Sequence, residues 1–163
     1  MTEEAPAIFV ALEQSGLGQA IRQSIWLFPA ANIGHVVSLV VFAGAVAVMD
    51  VRLLGGFAAT APARVIGRAR SFAIAAFAMM VVTGFMLFTA EASHLVLNPV
   101  FQVKAALIGA GLANLAIYEF GAKRAVAGLP PGVTMPAAAK VAGVLSLGIW
   151  IAVAACGRSI AYF

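Results

Sequence analysis

Residues 32–50 read NIGHVVSLVVFAGAVAVMD. This stretch decides the fold. About 20 apolar residues are enough for a helix to cross the ~30 Å hydrocarbon core of a bilayer. The stretch lies inside a longer run, residues 23–49, with no Asp, Glu, Lys or Arg. Its apolar residues are continuous instead of alternating, which excludes a barrel strand and leaves a helix that satisfies its own backbone. Its two ionisable residues, His35 and Asp50, sit near opposite ends. Groups of that kind are costly in a membrane, so each one raises a functional question.

The rest of the chain repeats the pattern. Residues 71–90 carry no charge, residues 105–118 extend through tolerable flanks to about 99–121, and residues 141–157 lie between Lys140 and Arg158. Four transmembrane helices are predicted, at 30–51, 70–91, 100–121 and 140–160, in a single domain spanning 1–163. Composition agrees: of 163 residues, 63% are hydrophobic and 10% charged, against about 25% charged in a soluble domain. Short connections imply an all-α, up-down-up-down four-helix bundle. The stripe Ala105, Gly109, Ala113 is expected to let a neighbouring helix approach closely.

Residues 6–25, PAIFVALEQSGLGQAIRQSI, alternate apolar and polar positions and read as an amphipathic segment lying at the membrane surface, broken in two by Gly16 and Gly18. Trp26 and Phe28 suit the headgroup level, and Pro29 permits a turn into the first span. The acidic start MTEEAPAIF lacks the basic region of a cleavable signal.

Basic residues set the orientation. Arg52, Arg64, Arg68 and Arg70 follow the first span, and Lys123, Arg124 and Lys140 follow the third, against Arg22, Lys104 and Arg158 on the other side. The positive-inside rule makes the first group cytoplasmic and both termini external, as in a multi-pass protein of a bacterial inner membrane. The net charge of +4 is spread as membrane flanks, so nucleic acid is not the expected partner. The lipid bilayer is, with a redox partner, a membrane complex or a second copy as further expectations. Cys156 is a lone cysteine, without a CxxC motif or an internal disulfide partner.

Only two histidines exist, His35 and His94, and the topology puts both at the outer end. Two imidazoles there are candidate axial ligands for the iron of a b-type haem, with Gly34 and Ser38 leaving room beside His35. The alternatives are plain: His94 as a hydrated loop residue, His35 as an interhelical hydrogen-bonder. A bare metal would need Glu91 or Met86 as well. Lys104 and Arg158 are candidates to hold haem propionates, or they are cations snorkelling to the interface. At the cytoplasmic end, Asp50, Arg52 and Glu119 are expected to form an ion-pair cluster between the first and third spans, with Lys123 placed for an i, i+4 pair to Glu119. No phosphate-binding loop, Ser-His-Asp set or HExxH motif is present.

Three segments, SIWLFPAANIGHVVSLVVFAGAVAVMDVRLLG, NPVFQVK and GRSIAYF, resemble a family of small bacterial four-helix membrane proteins of unknown function. The likeness runs from Trp26 onward and rests on Trp26, Pro29, His35, Gly44, Asp50, Arg52, Leu53, Leu54 and Gly55, on Asn98, Pro99, Phe101, Lys104 and Asn114, and on Gly157, Arg158 and Tyr162. More distantly, the early histidine, the following glycine and arginine, and the lysine opening the third span resemble CopD-type and HemJ-type membrane proteins. That resemblance implies haem or copper chemistry. The late third-span histidine of the HemJ pattern falls here at Tyr118 and Glu119. The leading expectation is a membrane b-type haem protein in electron transfer. The alternatives are a non-catalytic membrane subunit or scaffold, and a copper or small-molecule permease.

Overall fold

The computed structural model describes residues 4–162. The first three residues of the acidic start, and Phe163 of the last motif, lie outside the described residues. All regular elements among the described residues are helical. Two short helices, α1 (Ala7–Glu13) and α2 (Gly16–Gln23), precede the first span. The break between them falls at Gln14 and Ser15, not at the glycines. Ser15 caps α2, its hydroxyl oxygen accepting from the Gly18 amide at 3.2 Å. Gly18 has a different task. A Cβ there would stand 2.4 Å from the Glu13 carbonyl oxygen, so only glycine allows α2 to fold back on α1.

The four spans are α3 (Leu27–Leu53), α4 (Pro62–Ala90), α6 (Pro99–Ile117) and α8 (Ala137–Ser159), with the short α5 (Ala92–Leu97) between α4 and α6. Pro29 sits in the first turn of α3, where its missing N–H has no intrahelical partner to lose. α4 begins well before residue 70. Pro62 occupies the first turn, and the Ala/Arg-rich sequence after it favours helix. Arg64, Arg68 and Arg70 therefore lie on a helix and not in a loop. α6 likewise runs on, through a π-helical turn at Tyr118–Ala122, into α7 (Lys123–Ala127). Its start is fixed by Asn98, whose Oδ1 accepts from the amides of Val100 (2.9 Å) and Phe101 (3.1 Å), with Pro99 at the first helical position.

α3 packs along α4 and α8, and α6 packs along α8. Between α3 and α8 the approach is close: a Cβ on Gly143 would be 3.3 Å from both the Asp50 carbonyl oxygen and the Leu53 Cβ. The central layer is aromatic. The Phe42 ring meets Trp150 at 4.7 Å and Phe77 at 5.6 Å. The fourth side of the bundle is open. α4 and α6 are joined by stacked Phe88 and Phe101 rings near one end, 5.4 Å apart, and by an Arg70–Glu119 ion pair near the other. Between these ties they do not pack backbone against backbone.

Large apolar side chains cover the outside: Val40 on α3, Phe72 on α4, Ile117 at the end of α6 and Ile151 on α8 are all at least 65% exposed. Such a surface is stable in lipid and not in water. Four helices are long and apolar enough to cross a membrane. The chain is a multi-pass membrane protein with a four-helix bundle. The stripe Ala105, Gly109, Ala113 faces outward and receives no helix among the described residues.

Candidate functional site

The bundle has two ends. The capped end carries α1, α2 and α5, and the arginine-rich end carries the α3–α4 and α7–α8 connections.

At the capped end, His35 and Thr83 join α3 to α4. The Thr83 hydroxyl donates its one proton to the Met79 carbonyl oxygen, 2.7 Å away. Its oxygen then accepts from His35 Nδ1–H at 3.0 Å. That assignment leaves the lone pair on Nε2 free. The helices come close because the positions beside this pair are glycines: a Cβ on Gly84 would lie 3.1 Å from His35 Cε1, and one on Gly34 would lie 3.3 Å from Thr83 Cγ2. Lys104 is half-buried within electrostatic reach of His35, its Nζ 3.5 Å from where a Gly157 Cβ would stand.

The other two candidates of this end point elsewhere. Arg158 is exposed, donating to the Tyr162 hydroxyl at 2.6 Å with its guanidinium 5.0 Å from the ring centre. His94 is exposed on α5. Seven residues of α4, about 10 Å of helix, separate the level of Thr83 from the end of α4 that precedes α5. No hydrogen bond links His94 to His35 among the described residues. The structure thus brings His35 and Lys104 together, and it does not bring Arg158 into their company. Among the described residues no group of three or more His, Cys, Asp or Glu side chains is placed to hold a metal ion.

The capped end is tied down by one carboxylate. Glu13 accepts from the Ser93 amide at 2.8 Å and from the Ser93 hydroxyl, and its second oxygen accepts from Arg22 at 2.8 Å. Those Ser93 bonds, helped by the Arg22 charge, hold the Glu13 carboxyl below its ordinary range.

Toward the arginine-rich end, the gap between α4 and α6 opens into a cavity of about 290 Å³. Phe42, Phe77 and Trp150 form its aromatic wall, and α4 and α6 supply the two sides. Asp50, Arg70, Asn114, Tyr118, Glu119 and Ser146 are the polar residues that line it. Asn114 is already engaged, donating to the Ala142 carbonyl oxygen of α8 at 3.0 Å. Asp50 is not. It is 4% exposed, and its buried Oδ2 has no hydrogen-bond partner. An unpaired buried carboxylate oxygen is costly, and among the buried side-chain polar atoms of the described residues only Nε of Arg52 shares its lack of a partner.

The expected ion-pair cluster takes a different form. Glu119 pairs with Lys123 at 2.7 Å, one turn on, as the spacing predicts. Its other oxygen pairs with Arg70 of α4, not with the first span. Arg52 is 1% exposed and donates to the Thr60 carbonyl oxygen at 3.2 Å. Lying two residues past Asp50, it points about 200° around the helix from it. The π-helical turn explains the register: one extra residue at Tyr118–Ala122 shifts which side chains of α6 face α4. The sequence does flag Asp50 as an ionisable residue in an apolar run. The cavity around it depends on which helices stay apart, and no local pattern reports that.

A model of a family of unknown function, DUF6644, matches residues 16–163. The chain belongs to this family. The match starts at the first residue of α2, so both the His35 pair and the cavity lie inside it and α1 with Glu13 lies outside. No curated protein and no solved structure matches the chain.

Proposed function

We propose that the protein binds a small lipophilic molecule that enters sideways from the bilayer, between α4 and α6. The observation that carries this reading is the cavity beside Asp50: apolar walls, one unpartnered buried carboxylate oxygen, and an opening on the side of the bundle where two spans fail to pack. Ligand sites in helix bundles have this composition, mostly apolar with a few polar groups that fix orientation. A small-molecule permease would need such a binding site. The positive-inside rule supports a cytoplasmic arginine-rich end in a bacterial inner membrane and a capped end outside, so the cavity lies in the cytoplasmic half. The test is photo-crosslinking in vesicles with an apolar diazirine probe. Labelling is expected on cavity-facing segments of α4 and α6 and is expected to fall when Ser146→Phe fills the cavity. Labelling spread evenly over all outward faces, unaffected by Ser146→Phe, would overturn the reading.

A second reading has its own observation. The bond from His35 Nδ1–H to Thr83 orients the ring and frees Nε2, the arrangement by which proteins prepare a histidine for a metal. The donor set fits a haem to the extent of one axial ligand, His35, with Lys104 as the cation beside it for a propionate. His94 enters only as the candidate second ligand of the original pair, and Arg158 only as a second cation after release from Tyr162. When bound, such a group would supply one-electron redox chemistry, and a redox partner would follow. Oxidised and dithionite-reduced absorption spectra of purified protein decide this reading. A Soret band lost on His35→Ala would support it, and protein that stays colourless after haem addition would end it.

A further inference from the structure

We infer that the cavity takes a lipophilic monocation, an ammonium group on an apolar body. The inference rests on the cavity reading above and names the chemistry of the occupant.

Three features converge on this class. The first is charge. The acidic and basic residues on the cavity wall are Asp50, Glu119 and Arg70. Arg70 is bonded to Glu119, and Lys123 takes the other Glu119 oxygen from outside. Arg52 faces away and is bonded to Thr60. Asp50 alone of the three is in no ion pair, and its buried Oδ2 has no hydrogen-bond partner, which a buried carboxylate needs. The second is the aromatic wall. Phe42, Phe77 and Trp150 meet at 4.7–6.2 Å with interplanar angles of 40–80°. Aromatic faces turned to the cavity attract ammonium groups most where water is excluded. The third is the donor inventory. An unpartnered carboxylate oxygen accepts only, so its complement is a donor, and a charged donor is the stronger one. The route in passes through lipid, so the body of the ligand must be apolar.

The experiment keeps this inference separate from the cavity reading. Trp26, exposed outside the spans, is replaced (Trp26→Phe) so that fluorescence reports Trp150 alone. The protein in lipid nanodiscs is titrated with decylamine, decanol and decanoate, which share a chain and differ in head group. Decylamine is expected to shift the Trp150 signal at about tenfold lower concentration than decanol, as a charge-assisted hydrogen bond implies. Decanoate is expected to do least. In Asp50→Asn the amine and alcohol curves are expected to coincide, with Asp50→Glu restoring part of the difference. Decanol or decanoate matching the amine in the unsubstituted cavity would overturn the cation while leaving the cavity intact. No response to any of the three would remove the cavity reading itself.

Discussion

Asp50 and His35 stand in the same span and read alike in the sequence, as single ionisable residues in an apolar run. Their surroundings separate them. His35 is satisfied by Thr83 on one side of its ring, whereas Asp50 keeps a buried oxygen with no partner. What the sequence made legible was that both residues matter. It did not reveal which one meets open space, because that depends on glycines whose role appears only across helices. Gly111 is the clearest case. A Cβ there would lie 2.9 Å from Cζ2 of Trp150, so this glycine sets where the indole stands in the cavity wall. Gly111→Val is expected to destabilise the bundle by about 1–3 kcal/mol through overpacking. It should also move the Trp150 emission. Unfolding in detergent and the emission maximum of the Trp26→Phe background check both.

At the scale of elements, the helices were legible and their ends were not. Apolar length marks how much helix lies in lipid, but it does not mark where the helix stops. Caps do that. Asn98 holds the start of α6 through two amides and also donates to the Ile160 carbonyl oxygen at 3.4 Å. Asn98→Ala is expected to cost about 1 kcal/mol, the usual cost of losing a cap, read as a lowered denaturation midpoint with the fold retained. The α1–α2 pair offers a pH test. The Glu13 carboxyl sits below the ordinary 4.5 of a glutamate because it is bonded to Ser93 and Arg22. Its stabilisation is therefore complete above that ordinary value and is lost as pH falls through the lower folded-state value. Hydrogen exchange at the Ser93 amide should stay slow at pH 6. Below pH 4.5 its protection should fall relative to Glu13→Gln, after correction for intrinsic exchange rates. A protection ratio that does not change with pH would remove the clamp.

The whole molecule differs most from what the chain alone conveys. An up-down-up-down bundle of four spans is a sound deduction from hydropathy and loop length. It leaves open whether consecutive spans pack, and here α4 and α6 do not. Ring stacking at one end and an ion pair at the other tie them together, and the interval between these ties is the proposed lipid-facing entrance. The central claim is that this entrance connects the bilayer to the Trp150 wall. Quenching of Trp150 by lipids brominated along their acyl chains tests it directly, using Trp26→Phe protein in vesicles. Strong quenching, relieved when Ser146→Phe fills the cavity, is the predicted result. Trp150 emission indifferent to brominated lipid would mean that the gap is closed in the membrane, and the account would be contradicted.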